Sequence, residues 1–585
     1  MQLNRNSNAQ GTIEYLVILS IVIVIGLVVV GMLVSINDSQ DITQKNDKLK
    51  NTIGTGGISV LEAVLDPNGN AIITLKNLGP DSLTITSLTG GTLQTDFDQP
   101  QTGFGELTFY LTDLNSYCTC NETIKTTTCS FNIRKTNKYG NSETIPVTIP
   151  FVCVGNTTPT NPEKVIGLGS GTQTDPFIIN SCLELQAIDE NLTAHYKLGA
   201  NIDCSDTTNW NAGAGFTPIG NSTTKFSGSF NGNSKTISNL FIYRPTESNV
   251  GLFGYTNASV IQNTGLIDNN ITGKIASGGL IGYNLDGNVI NNYTTGSLRG
   301  MDAGGSSSAG GLIGYNTNGT ITSNYTTGNT IGAYTNVGGL IGRNDYGIIT
   351  NNYTTGNTTG TYTTVGGLIG MNFAGTATAN YTTGNTTGTS WNTGGLIGYN
   401  WHAIVSQNYT TGNTTGGQDT GGLIGNNEGN GETISNNYTT GFTNGTNWVG
   451  GLIGYQLYTS IANNYTLGDT NGATNVGGIT GYHSTSAGTF NYNYIIGSVT
   501  GTNTTNAMLG DYGSWSGATG NYYDTTLTGQ TTCHKLGNSG CSTTADQESN
   551  YFGPSGIPFA NDKLNWSTSI WTARDNNHPI LAWQN

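Results

Sequence analysis

The residues of this chain that could do acid–base or metal chemistry are few and scattered. Between residues 250 and 510 there are eleven charged side chains. General acid–base catalysis needs such groups within hydrogen-bond reach of one reacting centre. Asp286 and Asp345 hold nearly the same place in a repeat, two repeats apart, which on a stacked β architecture separates them by about 10 Å. That lies at or beyond the long limit of an inverting glycosidase pair, so isolated turn aspartates explain them better. The five histidines, His195, His402, His483, His534 and His578, are dispersed and form no HExxH motif. Neither a P-loop signature nor GxSxG occurs, and the tandem glycines recur with the repeat, so they need no phosphate. The expectation is a protein that is not an enzyme, with no catalytic residue, metal or cofactor.

Two other residue types carry more information. The cysteines number eight, Cys118, Cys120, Cys129, Cys153, Cys182, Cys204, Cys533 and Cys541, and an even count fits disulfides in an oxidising exterior. The first four allow three pairings, among which the sequence does not choose. A four-cysteine zinc site would need a second close pair in place of the isolated Cys129 and Cys153, so disulfides are the better reading. The N-x-[ST] sequon occurs twenty-one times. Seven copies form a series of NYT motifs at Asn292, Asn324, Asn352, Asn380, Asn408, Asn437 and Asn464. NTT motifs add Asn357, Asn385 and Asn413. An Asn/Thr-rich chain makes sequons by chance. Periodic placement on one face, on a surface nearly free of charge, makes these ten the candidate N-glycosylation sites.

The elements that position these residues are repeats. GGLIG begins at residues 278, 310, 338, 366, 394, 421 and 450, and NNYTTG-like blocks keep the same beat. A period near 28 residues signals stacked supersecondary units. The 3.6-residue apolar pattern of a helix is missing, whereas short alternating runs with Gly at every corner favour strands. The predicted fold is mainly β, with a right-handed-type parallel β-helix of about ten coils over residues 250–510, extending about 48 Å. Residues 165–249 lead into it as a cap, and residues 511–585 close it as a C-terminal cap. Strand alternation places Tyr325 opposite Asn324 and Thr326. With the aromatic inward, Asn and Thr ladders face solvent. The repeat resembles the GLUG repeat of bacterial and archaeal surface proteins, through residues 165–585. Some proteins with GLUG repeats are metallopeptidases, but this chain lacks that equipment.

The N-terminal third reads differently. From Tyr15 to Ile36 there are 22 uncharged residues dominated by Ile, Val and Leu, long enough as a helix to cross a bilayer. Glu14 sits at its edge, and the small-residue junction Ala9–Gln10 precedes the apolar run, whereas a secretory signal peptide is cut after it. Gln10, Thr12, Glu14 and the following helix resemble the class III signal peptide of archaeal type IV pilin-like proteins, although Arg5 is the leader's one basic residue. The resemblance implies a leader over residues 1–9, cleavage between Ala9 and Gln10 by a prepilin peptidase, and a helix over residues 10–51 that anchors in the membrane before assembly. It also implies self-association into a filament through Gln10 and Glu14, delivered by a pilus assembly machinery. Residues 52–155 read as a small β-sandwich and residues 156–164 as a linker. A net charge of −15 argues against nucleic acid.

The expected function is a structural subunit of an extracellular filament whose glycosylated β-helix serves adhesion to surface glycans or other cells. A membrane-anchored monomeric adhesin or cell-envelope protein is the alternative, and a glycan-active β-helix enzyme comes third. Intact-mass measurement of the native protein should find a chain that starts at Gln10 and keeps the apolar segment. Retention of Met1, or a cut after residue 30, would refute the class III reading.

Overall fold

A computed structural model describes the strands between residues 58 and 153 together with Cys118. It also describes residues 169–544 apart from 302–306, 334, 485–487, 513–517 and 536, and residues 566–584 apart from 575–576. The apolar segment, with Ala9, Gln10 and Glu14, lies outside the described residues. No helix among the described residues is long and apolar enough to cross a membrane. The chain divides into two compact units, residues 1–163 and 164–585.

In the first unit, seven strands form one sheet: β1 (Ile58–Leu65), β2 (Ala71–Asn77), β3 (Leu83–Gly90), β4 (Leu93–Gln101), β5 (Glu106–Leu111), β6 (Thr126–Asn137) and β7 (Ser142–Cys153). Their order is β4-β3-β6-β7-β1-β2-β5. Two packed sheets were expected. Instead, the parallel pairing of β1 with β7 through Val64–Val152 and Leu65–Cys153 joins two antiparallel groups into one ladder. Alternation along β6 buries Cys129, Phe131 and Ile133 and leaves Ser130 and Asn132 exposed. Cys118 is bonded to Cys129, and Cys120 lies outside the described residues.

The second unit is a parallel β-helix with three faces. In one coil, Ile313–Thr317 forms the first face. Thr320–Thr322 and Tyr325–Thr326 form the second, and Thr330–Gly332 and Asn336–Gly338 the third. Each strand pairs in parallel with its counterpart in the next coil, as Ile313 with Ile341, Tyr325 with Tyr353 and Val337 with Val365. The first face has ten strands. A continuous apolar core runs inside, with Leu312, Ile313, Ile321, Leu340 and Ile341 fully buried. The paired glycines sit where the wall turns inward. A Cβ on Gly339 would lie 2.1 Å from the Gly367 carbonyl oxygen of the neighbouring coil, so no larger residue fits without opening the stack.

The expected facing of the NYT motif is reversed. Asn324 and Thr326 are buried at 0% and 1% exposure, while Tyr325 is half-buried and turned outward. Its ring stacks on Tyr293 and Tyr353 with centroids 4.8 Å apart. The cause is the corner before the motif. Ser323 adopts a left-handed φ of 59°, which resets the alternation. Asn324 Nδ2 bonds carbonyls at the corner, donating to Val289 O at 2.8 Å and to Thr322 O at 2.9 Å, where the Asn291 N–H also donates, and it reaches Asn352 Oδ1 at 3.1 Å. Its own Oδ1 accepts from the Asn292 backbone N–H at 2.8 Å. A tyrosine could supply none of this.

This amide ladder runs from Asn292 to Asn521, every rung fully buried. A second ladder lines the first face, where Asn284 donates to Asn316 at 2.7 Å and Asn316 to Asn344 at 2.7 Å. That column continues to Asn427 and Gln456, with His483 next in register. Burial pushes the His483 imidazole down to about 3, so it is neutral across the physiological range.

The ends differ from simple caps. Phe177–Ile179, His195–Leu198 and Ser229–Ser238 pair in parallel and extend the second face before the first repeat, tied by the Cys182–Cys204 disulfide. At the far end, Cys541–Thr544 pairs with Asn521–Asp524, and Cys533 is bonded to Cys541. Residues 566–584 do not cap that end; they run back along the tyrosine column. Trp566 donates to Tyr492 O at 3.0 Å, Tyr465 to Pro579 O at 2.7 Å, and Trp583 to Gln407 O at 3.0 Å. Stacked rings expose their edges, and Trp566, Trp571 and Trp583 cover them.

Replacing Asn380 with Ala removes donors to Ile349 O and Thr378 O and the acceptor of the Asn352 N–H. Urea unfolding of the full chain should then show a loss of about 2–4 kcal/mol, because the buried Asn352 N–H loses its acceptor and the amide ladder is interrupted. Asn357→Ala, at an exposed rung, should cost below about 1 kcal/mol.

Candidate functional site

The outward columns of the first face are where side-chain chemistry varies. Tyr255, Tyr283 and Tyr315 stack with centroids 4.5 and 4.7 Å apart. At the next rung Arg343 replaces the tyrosine. Its guanidinium lies 5.2 Å from the Tyr315 ring centroid. Nε and Nη2 donate to the Asp345 carboxylate at 2.9 and 3.0 Å. The Tyr315 hydroxyl also donates to Asp345. Burial, reinforced by that carboxylate, raises the Tyr315 pKa.

Beside this cluster runs an apolar strip. The column holding Asp345 continues through Phe373, Trp401 and Glu428. Phe373 and Trp401 meet edge to face at 4.4 Å, and Tyr346 meets Phe373 at 5.3 Å. Tyr346 and His402 occupy a corner with left-handed φ of 59° and 49°, a conformation that carries their side chains past the strand end. Tyr346, Ile348 and Ile404 are 57%, 50% and 48% exposed. His402 Nδ1 lies 3.3 Å from Glu432 Oε1 and marks the polar rim. On a coil surface made mostly of Asn, Thr and Gly, this is a group of neighbouring apolar side chains, the kind of feature that marks interaction sites. Rings with exposed faces and edges, flanked by an ion pair, suit noncovalent recognition of a polar ligand with apolar patches.

The sequence candidates distribute as follows. Asp286 accepts from Asn318 Nδ2 at 3.0 Å, whereas Asp345 is bound to Arg343, so the two carboxylates sit in neighbouring columns with separate partners. His195 is paired with Ser229 at 2.7 Å. Among the described residues no three His, Cys, Asp or Glu side chains converge on a metal position. The NYT asparagines Asn292, Asn324, Asn352, Asn380, Asn408, Asn437 and Asn464 are all buried at 0% exposure, with their Nδ2 atoms committed inside the ladder. They are thus closed to a glycan in the folded coil, against expectation. By contrast, Asn357, Asn385 and Asn413 are exposed. Each Oδ1 there accepts the backbone N–H of the next coil at 3.0 Å, which leaves Nδ2 facing solvent. The sequence reading missed the aromatic strip. Its signal was present as departures from the column consensus: Arg343, Phe373, Trp401 and Glu428.

Comparison with known proteins adds partial likenesses. No family model matches the chain. A segment of 141 residues is 42% identical to halomucin of Haloquadratum walsbyi, covering 23% of this chain and 2% of that protein. Another of 108 residues is 33% identical to a Gly-rich membrane protein of Evansella cellulosilytica, covering 18% of this chain and 12% of that protein. The chain therefore spans a small fraction of the length of these relatives. Among solved structures, an IgA1 protease aligns over 62% of this chain and 29% of its own, at 14% identity and a TM-score of 0.32, too low to carry an argument.

Glycopeptide mapping of protein from its native source should find adducts at Asn357, Asn385 or Asn413 and unmodified peptides across the seven NYT asparagines. Occupied NYT sites would mean that the amide ladder does not form as described.

Proposed function

We propose that this chain is a cell-surface protein whose β-helix binds surface glycans or other cells through the aromatic strip of its first face. The observation that carries the reading is the half-buried pair Phe373 and Trp401 with the exposed Tyr346 at the adjoining corner and the exposed Ile348 and Ile404 at the start of the second face, set in a coil wall of small polar residues. Segment similarity to halomucin and to a protein described as a membrane protein supports a surface location. Asp286 and Asp345 have separate partners, and the reading is a binding protein, without cofactor and without nucleic acid as partner.

The finer proposal is that residues 10–36 place this β-helix on a type IV pilus-like filament. Its support is the order of Ala9, Gln10, Glu14 and the apolar run. A carboxylate beside hydrocarbon costs on the order of a few kcal/mol unless paired, and the α-amine freed at Gln10 of a neighbouring subunit would pair with it. Prepilin peptidase and the assembly machinery are then partners, and the chain is membrane-inserted before export. A leader whose one basic residue is Arg5 favours instead an uncleaved anchor, which gives a membrane-anchored monomeric adhesin.

Electron microscopy of cells expressing the wild-type chain, Glu14→Ala and Glu14→Gln separates the two. Filaments in the wild type, lost in both variants while membrane insertion persists, are the expected outcome. Abundant filaments from both variants would remove Glu14 from assembly, and no filaments from the wild type would favour the monomer. In either arrangement Trp401→Ala with Tyr346→Ala should cut cell or glycan binding roughly tenfold or more. Unchanged binding would rule out the strip.

A further inference from the structure

Three columns of the β-helix change chemistry in the same coil. The first-face column reads Tyr399, Asn426, Tyr455, so an amide replaces a ring. Its neighbour reads Trp401, Glu428, Leu457, so a carboxylate replaces an apolar side chain. At the preceding corner, Asn392, Asp419 and Trp448 succeed one another, all with left-handed φ. Each departure brings an oxygen to one place.

The local geometry leaves those oxygens unsatisfied. Asp419 and Asn426 are 3% and 8% exposed. Asn426 Nδ2 donates to Asp419 Oδ2 at 3.1 Å, and the planar amide keeps Asn426 Oδ1 beside that contact. Oδ1 of Asp419 and Oδ1 of Asn426 are both closed to solvent and receive no hydrogen bond among the described residues. Glu428 is half-buried and accepts from the Tyr399 hydroxyl. A buried acceptor without a donor costs about 1–3 kcal/mol, and the hydrogen-bonded pair Asp419–Asn426 holds two, with Glu428 two residues on from Asn426 in the same strand. Trp448, next to Asp419 in its column, packs its ring on Tyr455 at 5.1 Å. Hard oxygens with no protein donor, in a closed and negative place, suit a small oxygen-seeking ion.

We propose that Asp419, Asn426 and Glu428 bind one hard divalent cation of the calcium class, with Asp419 Oδ1, Asn426 Oδ1 and the Glu428 carboxylate as its protein ligands. Glu428, reaching the surface, leaves room for water to complete the shell. The ion would neutralise the carboxylate pair and tie the first face to the preceding corner in the coil just beyond Trp401. This assignment does not depend on the adhesion reading.

The test uses the full chain, stripped with chelator. Calcium titration by calorimetry should show one ion per chain, with Kd on the order of 10⁻⁴–10⁻³ M as in extracellular calcium modules. Terbium should replace calcium and luminesce on excitation of Tyr399, Tyr455 and Trp448. Asp419→Asn keeps shape and the Asn426 contact, and Glu428→Gln changes a half-exposed group. Each should weaken calcium binding at least tenfold and abolish the calcium-induced rise in melting temperature, while Asp286→Asn should change neither. No saturable calcium binding, or binding and terbium emission equal in wild type and Glu428→Gln, overturns the site and leaves a water or a protonated Asp419 as its occupant.

Discussion

The β-helix depends on side-chain amides that hydrogen-bond along its axis from inside the wall. The NYT asparagines donate from Nδ2 to carbonyls at a corner and to the next rung, as Asn352 does to Ile321 O, Thr350 O and Asn380 Oδ1. A buried polar group is tolerable when every donor and acceptor is matched, and a matched network inside low-dielectric surroundings fixes one geometry. The ladder therefore sets the coil-to-coil register. It holds across repeats of unequal length. Asn292 still meets Asn324 across 32 residues, at 3.1 Å, as Asn324 meets Asn352 across 28.

From that constraint the outer surface follows. With Asn and Thr committed inward, tyrosine is the outward residue of the second face, and identical rings one coil apart stack face to face at 4.8 Å. Their exposed edges are then covered by residues 566–584, whose tryptophans and carbonyls meet Tyr381 through Tyr494. Thr326 Oγ1 donates to Gly339 O at 2.8 Å and ties the second face to the paired-glycine turn. Leu and Ile fill what remains of the interior. Few charges appear because few positions can hold one: inner sites are closed, and outer sites on the faces stack against copies of themselves, where like charges would repel. Variation is thus pushed to the first face and its corner, where Arg343–Asp345, the Phe373–Trp401 strip and the Asp419 cluster lie.

Much of this was legible in the residues. The 28-residue beat, the absence of helical periodicity and Gly at each corner specify parallel coils, and the structure shows ten first-face strands. Cys182 with Cys204 and Cys533 with Cys541 flank the repeats and pair as neighbours. Other features were hidden. Alternation tells that Asn324 and Thr326 share a side opposite Tyr325, and it is silent on which side is inner. Hydrophobicity suggests the ring goes in, and the hydrogen-bond demand of the corner sends it out. The same reversal divides the sequons, closing Asn380 and leaving Asn385 open.

What the sequence alone determined is the repeat, its period, its strands and turns, and the unusual N-terminal segment, because these are local patterns that any stretch of chain displays by itself. What only the tertiary structure decided is which side of each strand is interior, that β1 and β7 merge two strand groups into one sheet, that residues 566–584 lie along the tyrosine column, and which side chains from different coils meet. Facing is set by a single left-handed residue at a corner and by the hydrogen bonds that a buried amide makes to other coils. Meetings such as Asn352 with Asn380, or Trp583 with Tyr409, join residues far apart in the chain. Neither leaves a mark on local composition, because both are properties of the closed coil.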